Sequence, residues 1–481
     1  MSAAPSLHQQ ALNETQPDRR RWVALGFIAL AQLMIALDAT IVSIALPSAQ
    51  AGLGASDADR QWVITAYTLA FGGLLLLGGR ISDYVGRKRA FILGLSGFAI
   101  ASAVGGAAPN FGVLIAARAT QGAFAALLAP TALSLLAVSF TQARERATAF
   151  AVYGSIAGSG AAIGFLLGGV LTQYLSWRWC LFVNVPIALA AGAGGFLVLP
   201  ASDRRARPKF DLTGAALAMG AFVALIYACS DALTAGWSSP TVVGLLIASG
   251  ALFVLFIARE SRTASPLLPL RILADRNRSG AYLTVGLALA GMFGAYLFLT
   301  YYLQVVQGYT PLQAGFAFLP ITVASQAASW LIARRLIPRV PPRALMVPGL
   351  LVAASGIALL TQLQPGTDYW TLVLPAEVLL GAGISSAMVP AFSTATQRVD
   401  PREAGIASAT VNAAQQIGAS LGTALLNTIA ISASAAYRGP RAAALVHGFS
   451  VATGWGAGIL VLAALAAGLL INAARPQRLA G

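Results

Sequence analysis

Cysteine, histidine, lysine and acidic residues are all scarce in this chain. The two cysteines, Cys180 and Cys229, both lie inside apolar runs, which excludes a disulfide framework and a zinc-ligand spacing. The two histidines, His8 in a polar tail and His447 near the start of the last apolar run, form no cluster that could bind a metal or relay protons. The only lysines are Lys88 and Lys209, and neither follows a glycine. No phosphate loop of the G-K-[ST] type exists, so ATP cannot drive this chain by itself. No nucleophile–base pair stands out either, which leaves no enzyme active site, cofactor or metal to expect.

What fills the space is hydrocarbon. The 481 residues are 57% hydrophobic and 10% charged, with a mean hydropathy of +0.75, whereas soluble domains carry about 25% charge. The expected class is an all-α integral membrane protein. The net charge of +15 does not point to nucleic acid, because the basic residues lie in short segments between apolar runs rather than on one folded face. Arg19, Arg20 and Arg21 followed by an apolar run and Ala49-Gln50-Ala51 imitate a secretory signal. That run, about 25 residues long, exceeds a signal core and reads as a retained first helix.

Apolar stretches of spanning length occur at 22–46, 61–79, 90–108, 111–138, 148–174, 178–200, 211–231, 240–258, 280–305, 312–333, 344–363, 370–395, 404–432 and 448–472. Fourteen transmembrane helices are expected. Of the 31 Lys and Arg residues, 26 fall in the two tails or in the connections after even-numbered helices. The positive-inside rule then places both termini in the cytoplasm, in a multi-pass protein of the plasma (inner) membrane. Charged linkers isolate helices 7 and 8, giving a tail over 1–21, a six-helix bundle over 22–200, an inserted hairpin over 201–279, a second bundle over 280–472 and a tail over 473–481. Such a plan suggests two related halves around a central path.

The connection after helix 2 reads GRISDYVGRKRAF, residues 79–91. Gly79 and Gly86 permit close approach and a tight turn, Asp83 supplies an acceptor, and Arg87, Lys88 and Arg89 hold the loop inside. This segment resembles the loop signature of the major facilitator superfamily, G-x-L-A-D-x-x-G-R-K. The resemblance implies a charge latch for the outward-facing state, formed by Gly79, Asp83, Gly86, Arg87 and Lys88. LIAARATQGAFAA at 114–126 is similar to the family's R-x-x-Q-G signature, with Arg118, Gln121 and Gly122 matching. GAAIGFLLGG, ending at Gly169, is similar to its antiporter glycine motif, in which Gly160, Gly164, Gly168 and Gly169 allow packing and bending.

The stretch LDATIVSIALP at 37–47 resembles the first-helix signature of the fourteen-helix drug:proton antiporter branch, the EmrB/QacA type. WRWCLFVNVP at 177–186, FDLTG at 210–214, SPLLPL at 265–270, YLQVVQGYTPLQAGFAFLP at 302–320 and EAGIASATVNAAQQIGASLG at 403–422 extend the likeness over nearly the whole chain. It implies the major facilitator fold, two six-helix bundles plus two inserted helices. The implied function is proton-coupled export of hydrophobic or cationic drugs by alternating access. Phe165 stands where the family usually has proline, which leaves an importer of a small solute on the same fold as the alternative. Small-molecule substrate, protons and the bilayer are the expected partners, with an adaptor protein across a second membrane left open and a monomer favoured.

Of the 16 acidic residues only Asp38 and Glu377 lie well inside expected helices. At ~1.5 Å per residue, Asp38 (counted from Pro47), Arg118 (from Asn110) and Glu377 (from Tyr369) all sit roughly 12 to 14 Å below the outer face. An unpartnered charge at that depth costs several kcal/mol, so a partner or a proton is required. A carboxylate beside a cation stays ionised, and it takes a proton when the cation leaves. Asp38, Arg118 and Glu377 are therefore the proton-coupling candidates, with Glu377 also a candidate counter-charge for cationic substrates. A static interhelical salt bridge is the structural alternative. Gln121, Phe293, Tyr296, Tyr301 and Gln304 offer flat faces with polar tips that suit a broad drug pocket, while Tyr301 and Tyr302 also suit an interfacial anchor.

Overall fold

The computed structural model describes residues 19–57, 59–140, 143–199, 211–263, 266–267, 270–337, 339–396 and 404–472, and all regular structure among them is helical. The principal helices are α1 (Arg19–Leu53), α2 (Trp62–Val85), α3 (Arg87–Gly106), α4 (Phe111–Ser139), α5 (Ala143–Tyr174), α6 (Trp179–Val198) and α7 (Leu212–Ala235). They continue with α8 (Pro240–Glu260), α9 (Arg276–Val306), α10 (Pro311–Leu331), α11 (Pro342–Gln362), α12 (Tyr369–Ala395), α13 (Ala404–Ala436) and α14 (Arg441–Leu470). Against the fourteen spans expected, twelve of these helices are long and apolar enough to cross a membrane among the described residues. Within α2 and α5 the qualifying apolar segments are shorter, Trp62–Leu75 and Gly160–Tyr174.

Packing follows one pattern twice. In the first set α1 lies against α5 and α6, α2 against α4, and α3 against α4 and α6. In the second, α9 lies against α13 and α14, α10 against α12, and α11 against α12 and α14. The sets meet through α2 on α13 and α5 on α10, which exchange under the same numbering. This is the arrangement of two parallel repeats about one axis. Glycines bring these seams close. A Cβ at Gly72 would lie 2.7 Å from Gln416 Cβ, and one at Gly169 would lie 2.7 Å from Leu312 Cα.

Helix α7 covers the α2/α13 seam: a Cβ at Gly73 would meet Met219, Trp62 packs on Tyr227, and Thr428 Oγ1 donates to the Cys229 carbonyl at 2.9 Å. Helix α8 packs on α7, with Ser249 donating to the Ala221 carbonyl at 2.8 Å. Asp211 ties the pair together. It accepts from the Gly214 backbone N–H at 2.8 Å, capping α7, and from Arg259 Nε at 3.0 Å and Thr263 Oγ1 at 3.3 Å. Burial opposes its charged form, but these donors outweigh it and hold the carboxyl below the usual carboxylate range. A lowered folded value means stability present above the unfolded value, about pH 4, and lost as pH falls through the folded one. Asp211→Asn is accordingly expected to lower the melting temperature at neutral pH, with the gap to the parent closing in acid. A gap that persists below that range would show that the charge is irrelevant.

The α2–α3 turn carries the basic cluster and marks one face of the molecule, called here the basic face. Gly86 adopts φ 94° and ψ 134° there, a conformation that side chains rarely tolerate, and its N–H closes α2 on the Ser82 carbonyl at 3.1 Å. Close helix approach falls to Gly78 rather than Gly79. A Cβ at 78 would strike the Ala126 carbonyl, whereas one at 79 meets Pro130 at an ordinary 3.7 Å.

Candidate functional site

Asp38 is fully buried in mid-α1 and is held from two other helices. Arg118 Nη1, from α4, donates to its Oδ2 at 2.6 Å. Asn184 Nδ2, from α6, donates to Oδ1 at 2.8 Å, and Gln121 Nε2 donates to the same oxygen at 3.3 Å. Both oxygens accept and no neighbour accepts from them, which is the arrangement of an ionised carboxylate. Arg118 is itself fixed: its Nη1 also reaches Gln121 Oε1 at 3.0 Å, its Nε donates to the Val63 carbonyl at 3.1 Å, and its Cζ lies 4.3 Å from the Tyr67 ring centroid. Ser102 on α3 receives Gln121 Nε2 at 2.6 Å. Helices α1, α2, α3, α4 and α6 thus converge on one charge pair. Helix α1 runs unbroken through Pro47 to Leu53, so Asp38 stands fifteen residues, roughly 22 Å, from its end.

The glycines of α5 frame the same turn of α1. A Cβ at Gly160 would come 2.7 Å from Ala36 Cβ, one at Gly164 would collide with Thr40 Oγ1, and one at Gly168 would come 3.0 Å from the Ile41 carbonyl oxygen. Three glycines in a row therefore let α5 lie directly on the residues flanking Asp38. Phe165, between them, turns toward the second half. It stacks on Phe318 with centroids 4.7 Å apart and lies 6.1 Å from Tyr296, while a Cβ at Gly315 would be 2.5 Å from the Phe165 carbonyl oxygen.

Glu377 lies apart from Asp38, in this aromatic cluster. It is buried near the start of α12, where a π-helical turn at Tyr369–Val373 carries Tyr369 over it. The Tyr369 hydroxyl reaches Glu377 Oε2 at 3.4 Å and donates to the Ala317 carbonyl at 2.7 Å. Its Oε1 has no hydrogen-bond partner among the described groups. Phe293 packs edge-on against Tyr296 with centroids 6.2 Å apart, and Tyr296 against Phe318 at 5.9 Å. Four aromatic rings and an under-satisfied carboxyl share one region of the second half.

Tyr301 and Gln304 lie at the face opposite the basic turn, in contacts between the halves. The Tyr301 hydroxyl bonds Gln50 Oε1, and Gln304 Nε2 donates to the Ile44 carbonyl at 3.0 Å. Arg60, buried between α1 and α2, completes this seam: its Cζ lies 4.1 Å from the Tyr301 ring centroid, its Nε donates to Asn427 Oδ1 at 3.1 Å, and its Nη1 reaches Asp57 at 3.4 Å. On the basic face, Lys88 Nζ lies 5.1 Å from the Phe196 ring, Arg80 donates to the Pro266 carbonyl at 3.1 Å, and Arg21 pairs with Glu145 at 2.8 Å. Arg87 is half-buried, and the Asp83 side chain lies outside the described residues.

Sequence reasoning passed over Asn184, Tyr67 and Arg60. Asn184 carried a usable signal, a polar side chain inside the apolar run at 178–200, but an audit of charges does not count amides.

Residues 28–423 match the family model described as Major Facilitator Superfamily. The puromycin resistance protein pur8 of Streptomyces alboniger is 52% identical over 466 residues, 95% of this chain and 92% of that protein. The cephamycin export protein CmcT of Amycolatopsis lactamdurans is 37% identical over 410 residues, 84% of each. A crystal structure of a bacterial homologue of the human lysosomal transporter Spinster, inward-facing and unoccupied, shares the fold at a TM-score of 0.67 and 17% identity, covering 95% of this chain and 98% of that one. With twin helical sets, a buried charge pair inside the first of them and these matches, the chain belongs to the major facilitator superfamily and is a multi-pass membrane transporter, not an enzyme.

Proposed function

We propose that the protein exports antibiotic-like compounds across the plasma membrane in exchange for protons. It crosses the bilayer fourteen times, with α2 and α5 counted as spans and both termini cytoplasmic, and α1–α6 and α9–α14 act as two bundles with α7 and α8 inserted between them. The observation that carries the reading is the buried Asp38–Arg118 pair, 2.6 Å apart. The relatives' names supply the cargo class, and puromycin is the first candidate. The positive-inside rule puts the basic face in the cytoplasm, so the Arg60–Tyr301 seam closes the outer side here. In this outward-closed state Asp38 is ionised, its proton already given up, and the site is ready to take substrate.

When the seam opens outward, a proton neutralises Asp38, its hold on Arg118 weakens, and substrate leaves. Return to the inward-open state releases the proton to the cytoplasm, since the pair reforms only with the carboxylate charged. Proteoliposomes with an internal pH dye test this directly. Puromycin flux should be met by proton flux in the opposite direction, whereas flow in the same direction would favour import and uncoupled flow would remove the proton.

Glu377, with Tyr369, Tyr296 and Phe318 around it, is assigned to cationic substrates, which can satisfy its carboxyl and lie on the ring faces. Glu377→Gln is expected to raise the KM for cationic compounds about tenfold or more and to leave neutral ones nearly unchanged. An equal loss for both classes would move Glu377 from recognition to coupling.

A further inference from the structure

Asn184 is held where a change of charge on Asp38 must be felt. Helix α6 breaks at Val183, between Trp179–Phe182 and Asn184–Val198. Pro186 follows three residues later and has no N–H to give the Phe182 carbonyl. The break sets Asn184 at the head of the longer piece, fully buried, with its amide nitrogen 2.8 Å from Asp38 Oδ1. Its other end is idle: Oδ1 of Asn184 is buried and has no hydrogen-bond partner among the described groups. An acceptor left unsatisfied in a dry site is costly, so its presence beside a carboxylate calls for a use.

Two other acceptors near Asp38 are committed. Gln121 Oε1 takes Arg118, and the Val63 carbonyl takes Arg118 Nε. The titratable or charged side chains that face Asp38 are Arg118 on α4, Tyr67 on α2 and Cys180 on α6. Arg118 offers only donors and the Cys180 thiol is a weak acceptor, while the Tyr67 hydroxyl, which can accept, is also buried without a partner but makes no hydrogen bond to Asp38. A protonated Asp38 therefore needs an acceptor, and Asn184, already at hydrogen-bond distance, has one free.

We propose that Asn184 is a positioning residue that serves both charge states of Asp38 by turning its carboxamide. With Asp38 ionised, Nδ2 donates to the carboxylate. When a proton from the aqueous path bonds to Asp38 Oδ1, the carboxamide rotates by half a turn about its terminal torsion and Oδ1 accepts the new O–H. One O–H bond forms, no covalent bond of Asn184 changes, and Arg118 keeps its charge. The terminal torsion of asparagine is broad and two-fold, so both orientations occupy the same volume. Asp38 keeps a partner on Asn184 in both charge states, and the proton can come and go without repacking α1 against α6.

This inference rests on the reading of Asp38 as the proton site, and one experiment separates the two. Infrared difference spectra of the purified protein in lipid, acid minus neutral, are recorded for the parent, Asp38→Asn, Asn184→Leu and Asn184→Ser. The parent should show a carboxyl band paired with a side-chain amide band, both absent in Asp38→Asn. Asn184→Leu should keep the carboxyl band, lose the amide band and shift the titration midpoint upward by about one pH unit. The direction follows because the lost bond to the carboxylate is charge-assisted and roughly twice as strong as the lost bond to the acid. Asn184→Ser, whose hydroxyl can donate or accept, should keep a midpoint closer to the parent's than the leucine variant does. A parent carboxyl band without an amide partner, or a midpoint that leucine does not move, would overturn the role of Asn184 and leave Asp38 in place. A parent with no carboxyl band lost in Asp38→Asn would overturn both.

Discussion

Asp38→Asn is expected to abolish proton-driven export, by more than a hundredfold, while the protein still folds and inserts. The substitution keeps shape and volume and removes one thing, the ability to alternate between charge states near physiological pH. Its cost to the fold is limited by geometry. The buried Arg118 loses its counter-charge, and breaking a buried pair costs about 3–5 kcal/mol when the partner is removed outright, but an asparagine oxygen can still accept its N–H and so offsets part of that loss. The nitrogen that replaces the second oxygen would face two donors, Asn184 Nδ2 and Gln121 Nε2, so Asn184 must turn and Gln121 must shift. Transport of puromycin by proteoliposomes under an imposed pH gradient, alongside the elution profile of the detergent-solubilised variant, checks both halves of the expectation. Normal transport would take Asp38 out of the coupling role.

The second large effect is steric. In Gly164→Val the Cβ falls on Thr40 Oγ1 and 2.9 Å from the Leu37 carbonyl oxygen, backbone and side chain of the two residues either side of the Asp38 turn. Overpacking of this kind costs about 1–3 kcal/mol even where neighbours relax, and here relief requires α5 to withdraw from α1. The Asp38–Arg118 distance, set by how α1 sits between α4 and α5, would shift with it. Export is expected to fall at least tenfold, with a melting temperature lower by several degrees. Gly26, on the same α1 with nothing within 4 Å of an added Cβ, is the matched control, and Gly26→Val should transport as the parent does. Equal behaviour of the two variants would mean that the α1–α5 contact plays no part in the cycle.

How much of this was legible in the sequence depends on which quantity a residue count can deliver. Apolar runs and the side on which arginines fall give helix positions and order, and the helices lie close to the expected stretches. Counting rises along helices also put Asp38 and Arg118 at one level, and they meet at 2.6 Å. The same count put Glu377 at that level, yet Glu377 lies against Tyr369 in the aromatic cluster. Counting gives depth along an axis and says nothing of which way a side chain turns about it. Pro47 looked like a helix end, but α1 continues to Leu53, since a membrane helix tolerates proline where neighbours re-satisfy the freed carbonyl. Asn184 and Arg60 escaped for different reasons. The first carries no charge, and the second sits between spans, where burial against Tyr301 and Phe449 depends on the opposite half of the molecule.

The role of Phe165 also becomes physical rather than a departure from a motif. A proline at this position would bend α5 by removing a hydrogen bond. Phenylalanine instead stacks on Phe318 and braces α5 against α10, in the cluster that surrounds Glu377. The glycines on either side still give α1 its close seat. Bending and bracing are separate duties, and this chain fulfils the second with a ring.

The central claim is that substrate and proton compete for the buried Asp38 site. Calorimetric titration of the purified transporter with puromycin, repeated in buffers of different ionisation enthalpy, counts protons released on binding. The account predicts net proton release by the parent, greatest near the midpoint of Asp38 titration, and none by Asp38→Asn. Binding by the parent with the same heat in every buffer, at every pH across that range, would contradict it.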